Sequence, residues 1–192
     1  MKKWMMMLCC VLFIAPGVSA QIQAGDQFIV LGGGYGLGTL TDNDLTLDGG
    51  MLGLSIEHRQ AGRKWSFATS FGYTRLDNSE DTVGQSRRTV TSWPLALGAK
   101  WWLGESKVQG YLGAQLAVYF SSVETTIAGS NDSYTSFATS GWGLVVPVGV
   151  TLSVSPKSFI NAGYRLNWLW SNDILKDDIL HMFVVGLGFK LH

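Results

Sequence analysis

The chain has 192 residues, with 14 Lys and Arg against 14 Asp and Glu, and only 15% of its residues are charged, below the roughly 25% usual for soluble domains. The length fits one domain. The even charge balance excludes a basic nucleic-acid surface, and no apolar run near the ~18 residues of a membrane helix occurs after residue 20.

Residues 1–20 read as a cleavable export signal. Lys2 and Lys3 open it, Met5–Ala15 forms its apolar core, and Val18-Ser19-Ala20 supplies small residues for cleavage. Cys9 and Cys10 lie inside it, so the domain expected over 21–192 has no cysteine and must be stabilised without disulfides.

Eight segments then alternate with a period of two, over 26–36, 48–59, 64–76, 90–103, 108–120, 137–153, 158–170 and 180–191. Each is expected to be a strand, because successive side chains of a strand point to opposite faces. The first is rich in glycine. The second sets Leu52, Leu54 and Ile56 against Gly53, Ser55 and Glu57. The third is the clearest: Trp65, Phe67, Thr69, Phe71 and Tyr73 oppose Ser66, Ala68, Ser70, Gly72 and Thr74. From Trp65 to Arg75 it has the length a tilted strand needs to cross a bilayer, roughly 9–11 residues. In the fourth, Trp93, Leu95, Leu97 and Trp101 oppose Ser92, Ala96, Gly98 and Lys100; the fifth to eighth repeat the scheme. Pro94 and Pro147 each remove a ladder hydrogen bond, so local bulges are expected there, at the loop-side end for Pro94.

The linkers alternate too. Gln60–Arg63, Gly104–Lys107 and Val154–Lys157 are short, whereas Leu37–Leu47, Asp77–Thr89, Ser121–Ser136 and Ser171–Ile179 are long. Short turns at one end and long loops at the other describe an up-and-down meander. Periodicity alone does not say which face is inside. A soluble barrel would put the apolar face inward. The opposite face here mixes Gly, Ala and Ser with isolated charges, which suits a narrow filled lumen. The apolar face carries aromatics in two belts, Trp65, Trp101 and Phe189 towards the short turns, and Tyr73, Trp93, Phe120, Trp142, Trp168, Trp170 and Phe183 towards the long loops. The expected fold is therefore all-β, an eight-stranded antiparallel up-and-down transmembrane β-barrel, apolar side out.

Eight strands, three tight turns, four longer loops, two aromatic belts and an export signal together resemble the small OmpA/OmpX-like outer-membrane β-barrels. The last strand, with Phe183, Val185, Leu187, Phe189 and Leu191 in alternation, also resembles the C-terminal signal read by the barrel-assembly machinery, although this chain ends on His192 where that signal carries an aromatic residue. The resemblance implies a bacterial outer-membrane location, contact with outer-membrane lipid and lipopolysaccharide, assembly by that machinery, and a monomer.

The residues expected to matter line the lumen: Glu57, Arg59, Lys100, Gln115, Asn161, Arg165, Asn167 and Lys190, read as a polar network that plugs the barrel. Glu57 is the one clear inward carboxylate and is expected to pair with Lys100 or Arg165. The loop regions 37–48, 77–89, 121–136 and 171–179 hold eleven acidic and three basic residues, a surface for a possible external ligand. His58 and His181 fall at opposite ends of the barrel and lack the pattern of lipid A-modifying barrels, so no catalytic residue, metal or cofactor is expected. The function expected is structural, in envelope integrity or surface interaction, with a narrow pore or transporter for ions or small solutes as the alternative and a lipid A-modifying enzyme as the less favoured reading.

Overall fold

The computed structural model describes residues 22–40, 45–78, 87–126, 133–170 and 179–191. The signal expected over 1–20, and most of the acidic loop residues, lie outside these. Eight antiparallel strands close one barrel: β1 (Gln27–Leu40), β2 (Leu45–Arg59), β3 (Trp65–Asn78), β4 (Arg87–Leu103), β5 (Val108–Thr126), β6 (Ser133–Ser153), β7 (Ser158–Trp170) and β8 (Ile179–Lys190). Each pairs with its neighbours in the chain, and β1 closes on β8 from Phe28↔Lys190 to Gly38↔Leu180. Closure leaves the wall without a free edge.

Burial decides the faces. Leu52, Leu97, Leu116 and Val185 are 65%, 62%, 61% and 59% exposed, while their chain neighbours Met51, Ala96, Gln115, Ala117 and Gly186 point inward and are buried. The expected alternation is thus present with the apolar side out. So continuous an apolar band belongs against lipid, since leaving it in water costs about 25 cal/mol per Å².

At the short-turn end, Gly62 and Gly104 have positive φ of 69° and 83°, a conformation glycine adopts without a Cβ clash. At the base of every loop-connected pair lies one repeated bond. In each, a strand N–H donates to the carbonyl of the residue just before the odd-numbered strand: Arg59 to Asp26 at 2.9 Å, Trp102 to Lys64 at 2.6 Å, Ser153 to Lys107 at 2.9 Å, and Lys190 to Lys157 at 2.8 Å.

The prolines correct an expectation. Neither bends its strand into a bulge. The β3–β4 ladder skips the two pairs around Pro94 between Phe71↔Leu95 and Thr74↔Ser92, and the β5–β6 ladder skips the two around Pro147, yet the register is the same on both sides of each gap. The facing residue explains this: Gly72 and Gly113 lie opposite, and the proline rings fill the space their side chains would occupy. The register shift falls instead between Tyr119 and Ser121, where β5 pairs with β6. Beyond it β5 and β6 run on together to Thr126↔Ser133, past Trp142↔Trp170 where β6 leaves β7.

Candidate functional site: a layered lumen

Inward side chains fill the barrel in three layers. The first lies at the short-turn end. Phe28, Trp102 and Phe159 meet edge to face, Phe28 with its ring centroid 5.7 Å from that of Trp102 and 5.4 Å from that of Phe159. Consecutive apolar pairs in the chain put these rings inside: where Trp101 faces out, Trp102 must face in. Ile22, from the segment before β1, is 1% exposed and completes this cluster. Its carbonyl accepts hydrogen bonds from the Arg59 guanidinium and, at 3.2 Å, from Gln109 Nε2. The Arg59 guanidinium lies 5.7 Å over the Trp102 ring. Lys190 pairs with Asp26 at 2.7 Å at the same rim.

The middle layer is polar. Glu57 of β2 and Lys100 of β4 form a buried ion pair across β3, whose inward Ser66 and Ala68 are small enough to let them meet. Ser55 and Ser66 hydroxyls donate to the two Glu57 oxygens at 3.2 and 3.5 Å, and Trp102 Nε1 donates to Ser66 at 2.9 Å. Lys100 Nζ also sits 4.8 Å over the Tyr111 ring, whose hydroxyl donates to Asn161 Oδ1 at 3.1 Å. Gly149 and Gly163 make room for that hydroxyl, since a Cβ on either would collide with it. Across the lumen, Arg165 Nη2 donates to Ser70 Oγ at 3.1 Å and to Gln115 Oε1 at 3.4 Å. A cavity of about 60 Å³ lies among these groups.

The third layer, towards the loops, is mainly apolar. Leu47, Met51, Leu76, Val90, Tyr119, Val145, Leu169 and Met182 pack with others into one buried cluster. Buried polar groups lie among them: the Tyr119 hydroxyl donates to Asn167 Oδ1 at 3.2 Å, Asn167 Nδ2 to the Leu180 carbonyl at 3.3 Å and the Ser121 hydroxyl to Ser92 Oγ at 2.9 Å, while Thr74 Oγ1 has no hydrogen-bond partner.

The structure therefore divides the residues expected as one lumen network. Glu57, Lys100, Gln115, Asn161 and Arg165 share the middle layer. Asn167 sits among the apolar residues above it. Arg59 and Lys190 belong to the short-turn rim, because each is the last residue of its strand, β2 and β8. Sequence reasoning missed Phe28, Trp102, Tyr111, Tyr119 and Phe159 as lumen residues. The signal for them was the break in alternation at Trp101-Trp102-Leu103, Tyr111-Leu112, Val118-Tyr119-Phe120 and Phe159-Ile160, since adjacent apolar residues in a strand cannot both face lipid.

On the outer face Trp65 pairs in register with Trp101, and Trp93 with Phe120. Towards the loops, Tyr73 and Trp93 lie 4.7 Å apart, Trp142 and Trp170 5.2 Å, and Trp168 and Trp170 5.7 Å. Phe183 packs on Tyr164, and Phe189 faces outward, 44% exposed, near the short turns. His181 contacts the Tyr164 hydroxyl on this surface. Among the described residues no three His, Cys, Asp or Glu side chains converge as a metal site would need.

Comparison with known proteins places this architecture. The sequence matches the outer membrane protein beta-barrel domain family over residues 8–190. The chain belongs to that family. Its barrel resembles Neisserial surface protein A (22% identity, 86% of this chain and 97% of that one covered, TM-score 0.61). It also resembles Ail, the attachment invasion locus protein of Yersinia pestis (17% identity, 88% and 100% covered, TM-score 0.60), and OprG of Pseudomonas aeruginosa (16% identity, 88% and 98% covered, TM-score 0.58). At these identities the likeness is one of fold. None of the curated protein sequences matches the chain. The barrel is thus a protein of the bacterial outer membrane, and in such barrels the short turns face the periplasm and the long loops the exterior.

Proposed function

We propose that this chain is a non-enzymatic, monomeric outer-membrane barrel, closed to solutes along its lumen, that serves envelope integrity and presents a surface for interaction. The domain over 21–192 would be released by cleavage of a signal at 1–20. The observation that carries this reading is the layering of the lumen: buried apolar clusters lie above and below the polar chamber, and the chamber itself measures about 60 Å³. An apolar plug at each end opposes ion passage more strongly than a polar network would, because an ion crossing it loses its hydration.

The surface part of the reading rests on β5 and β6, which continue beyond the lipid-facing band, and on the acidity of the loop regions, eleven acidic residues against three basic. That sign suits a cationic or neutral partner. Ail has been solved with the polyanionic heparin analogue sucrose octasulfate, a ligand whose charge the loops here would repel. The lipid-facing band and its aromatic belts would hold outer-membrane lipid and lipopolysaccharide, and β8 would present the strand read by the assembly machinery.

Single-channel recording in planar bilayers tests the proposal. The purified barrel is expected to give no open-channel conductance, and steady conductance would overturn closure in favour of a narrow pore. Unchanged lipid A acylation on overexpression is the outcome expected of a non-enzyme.

A further inference from the structure

The geometry points to a binding site for one small monovalent anion, of halide size, in the middle layer of the lumen between the Arg165 guanidinium and the Gln115 amide. The argument begins with charge. The charged side chains of the chamber are Glu57, Lys100 and Arg165, two cations and one carboxylate. Glu57 is taken by Lys100. If it turned to Arg165, Lys100 would be the cation left over, so the count is the same in either arrangement. Among the described residues, the charged inward groups on the periplasmic side of the chamber, Arg59, Lys190 and Asp26, are occupied at the rim. The walls facing Arg165 from the remaining strands supply Val30, Val184 and Pro147, and no counter-charge.

The Arg165 guanidinium, partly buried in the chamber, does not shed its proton, and a charge drawn from bulk water without a counter-charge is costly. Arg165 donates here only through Nη2, and only to neutral oxygens, those of Ser70 and Gln115. The second, independent sign is Gln115. It is 1% exposed, its Oε1 is engaged by Ser70 and Arg165, and its Nε2 has no hydrogen-bond partner. A buried, unengaged amide donor beside a guanidinium that contacts only neutral oxygens lacks an anionic acceptor. The cavity they line, about 60 Å³, has room for a small ion with a water. Because both ends of the lumen are capped, the ion would enter while the barrel folds.

The test uses the whole barrel, refolded in sodium bromide and crystallised. Anomalous diffraction at the bromine edge is expected to show a peak in the chamber, within roughly hydrogen-bonding reach of Arg165 and Gln115 Nε2. A chamber holding water alone overturns the proposal. Arg165→Gln leaves Glu57 and Lys100 balanced and is expected to lose the peak. Gln115→Glu places a carboxylate in the seat itself. It is expected to expel bromide and to abolish the difference in urea midpoint between barrel refolded in bromide and in gluconate, an anion too large for the cavity, with the unsubstituted barrel more stable in bromide. A peak that persists in either folded variant overturns the assignment, and the bromide measurement on the unsubstituted barrel decides it even if both variants fail to fold. A conducting lumen would overturn the closed-barrel reading and leave this one standing; a missing peak does the reverse.

Discussion

The two ends of the lumen are closed by different constructions. Towards the exterior the plug consists of side chains from the wall itself, such as Leu47, Leu76, Val90, Leu169 and Met182. It cannot leave without the strands coming apart. Towards the periplasm, Phe28, Trp102 and Phe159 belong to strands, but Ile22 does not, and it is held from outside the wall by Arg59 and Gln109. The outer plug is therefore as stable as the barrel, whereas part of the inner one can open locally at a smaller cost.

Substitutions can break or sharpen this contrast. The largest effect is expected from Trp102→Ala, which empties the centre of the inner plug and removes the donor to Ser66; it should lower unfolding stability in urea by about 3–5 kcal/mol. Leu76→Ala in the outer plug should cost about 3 kcal/mol, because no loose segment is at hand to fill the space. Ile22→Ala should cost less, about 1–2 kcal/mol, since the segment before β1 can resettle. Equal losses for Leu76→Ala and Ile22→Ala in the same titration would mean that the segment is as firmly fixed as the wall. Hydrogen exchange offers a sharper view: the Gly25 amide, bonded to the Arg59 carbonyl at 2.8 Å, should exchange faster than strand amides beside Leu76.

Much of the wall was legible because the bilayer imposes a strong rule. A residue facing lipid is apolar and its neighbour is not, so Trp65–Arg75 and the seven segments like it announce themselves. The rule weakens beyond the bilayer, where the outer face meets water and is no longer apolar, which is why β5 was expected to end at 120 and runs to Thr126 through Ser121, Ser122 and Glu124. The lumen was legible only in part. Charges stood out against glycine and serine, so Glu57, Lys100 and Arg165 were found. The rings of Phe28, Trp102, Tyr111 and Phe159 were not, because an apolar residue beside another apolar residue reads as more of the same face. The prolines misled for a related reason: their effect depends on the residue across the ladder, Gly72 or Gly113, and that pairing is a property of the register rather than of the local sequence.

The repeated bond at the base has a consequence for how such a surface can change. Each loop-joined pair of strands is clasped at its open base by the same backbone bond, through the carbonyls of Asp26, Lys64, Lys107 and Lys157. The alignment of the two strands is thus held at the end farthest from the loop and does not depend on the loop's length. Residues can be inserted or deleted at the cell surface while the base keeps its place, because lengthening a loop adds little closure cost. The barrel works as a fixed socket with four interchangeable tips.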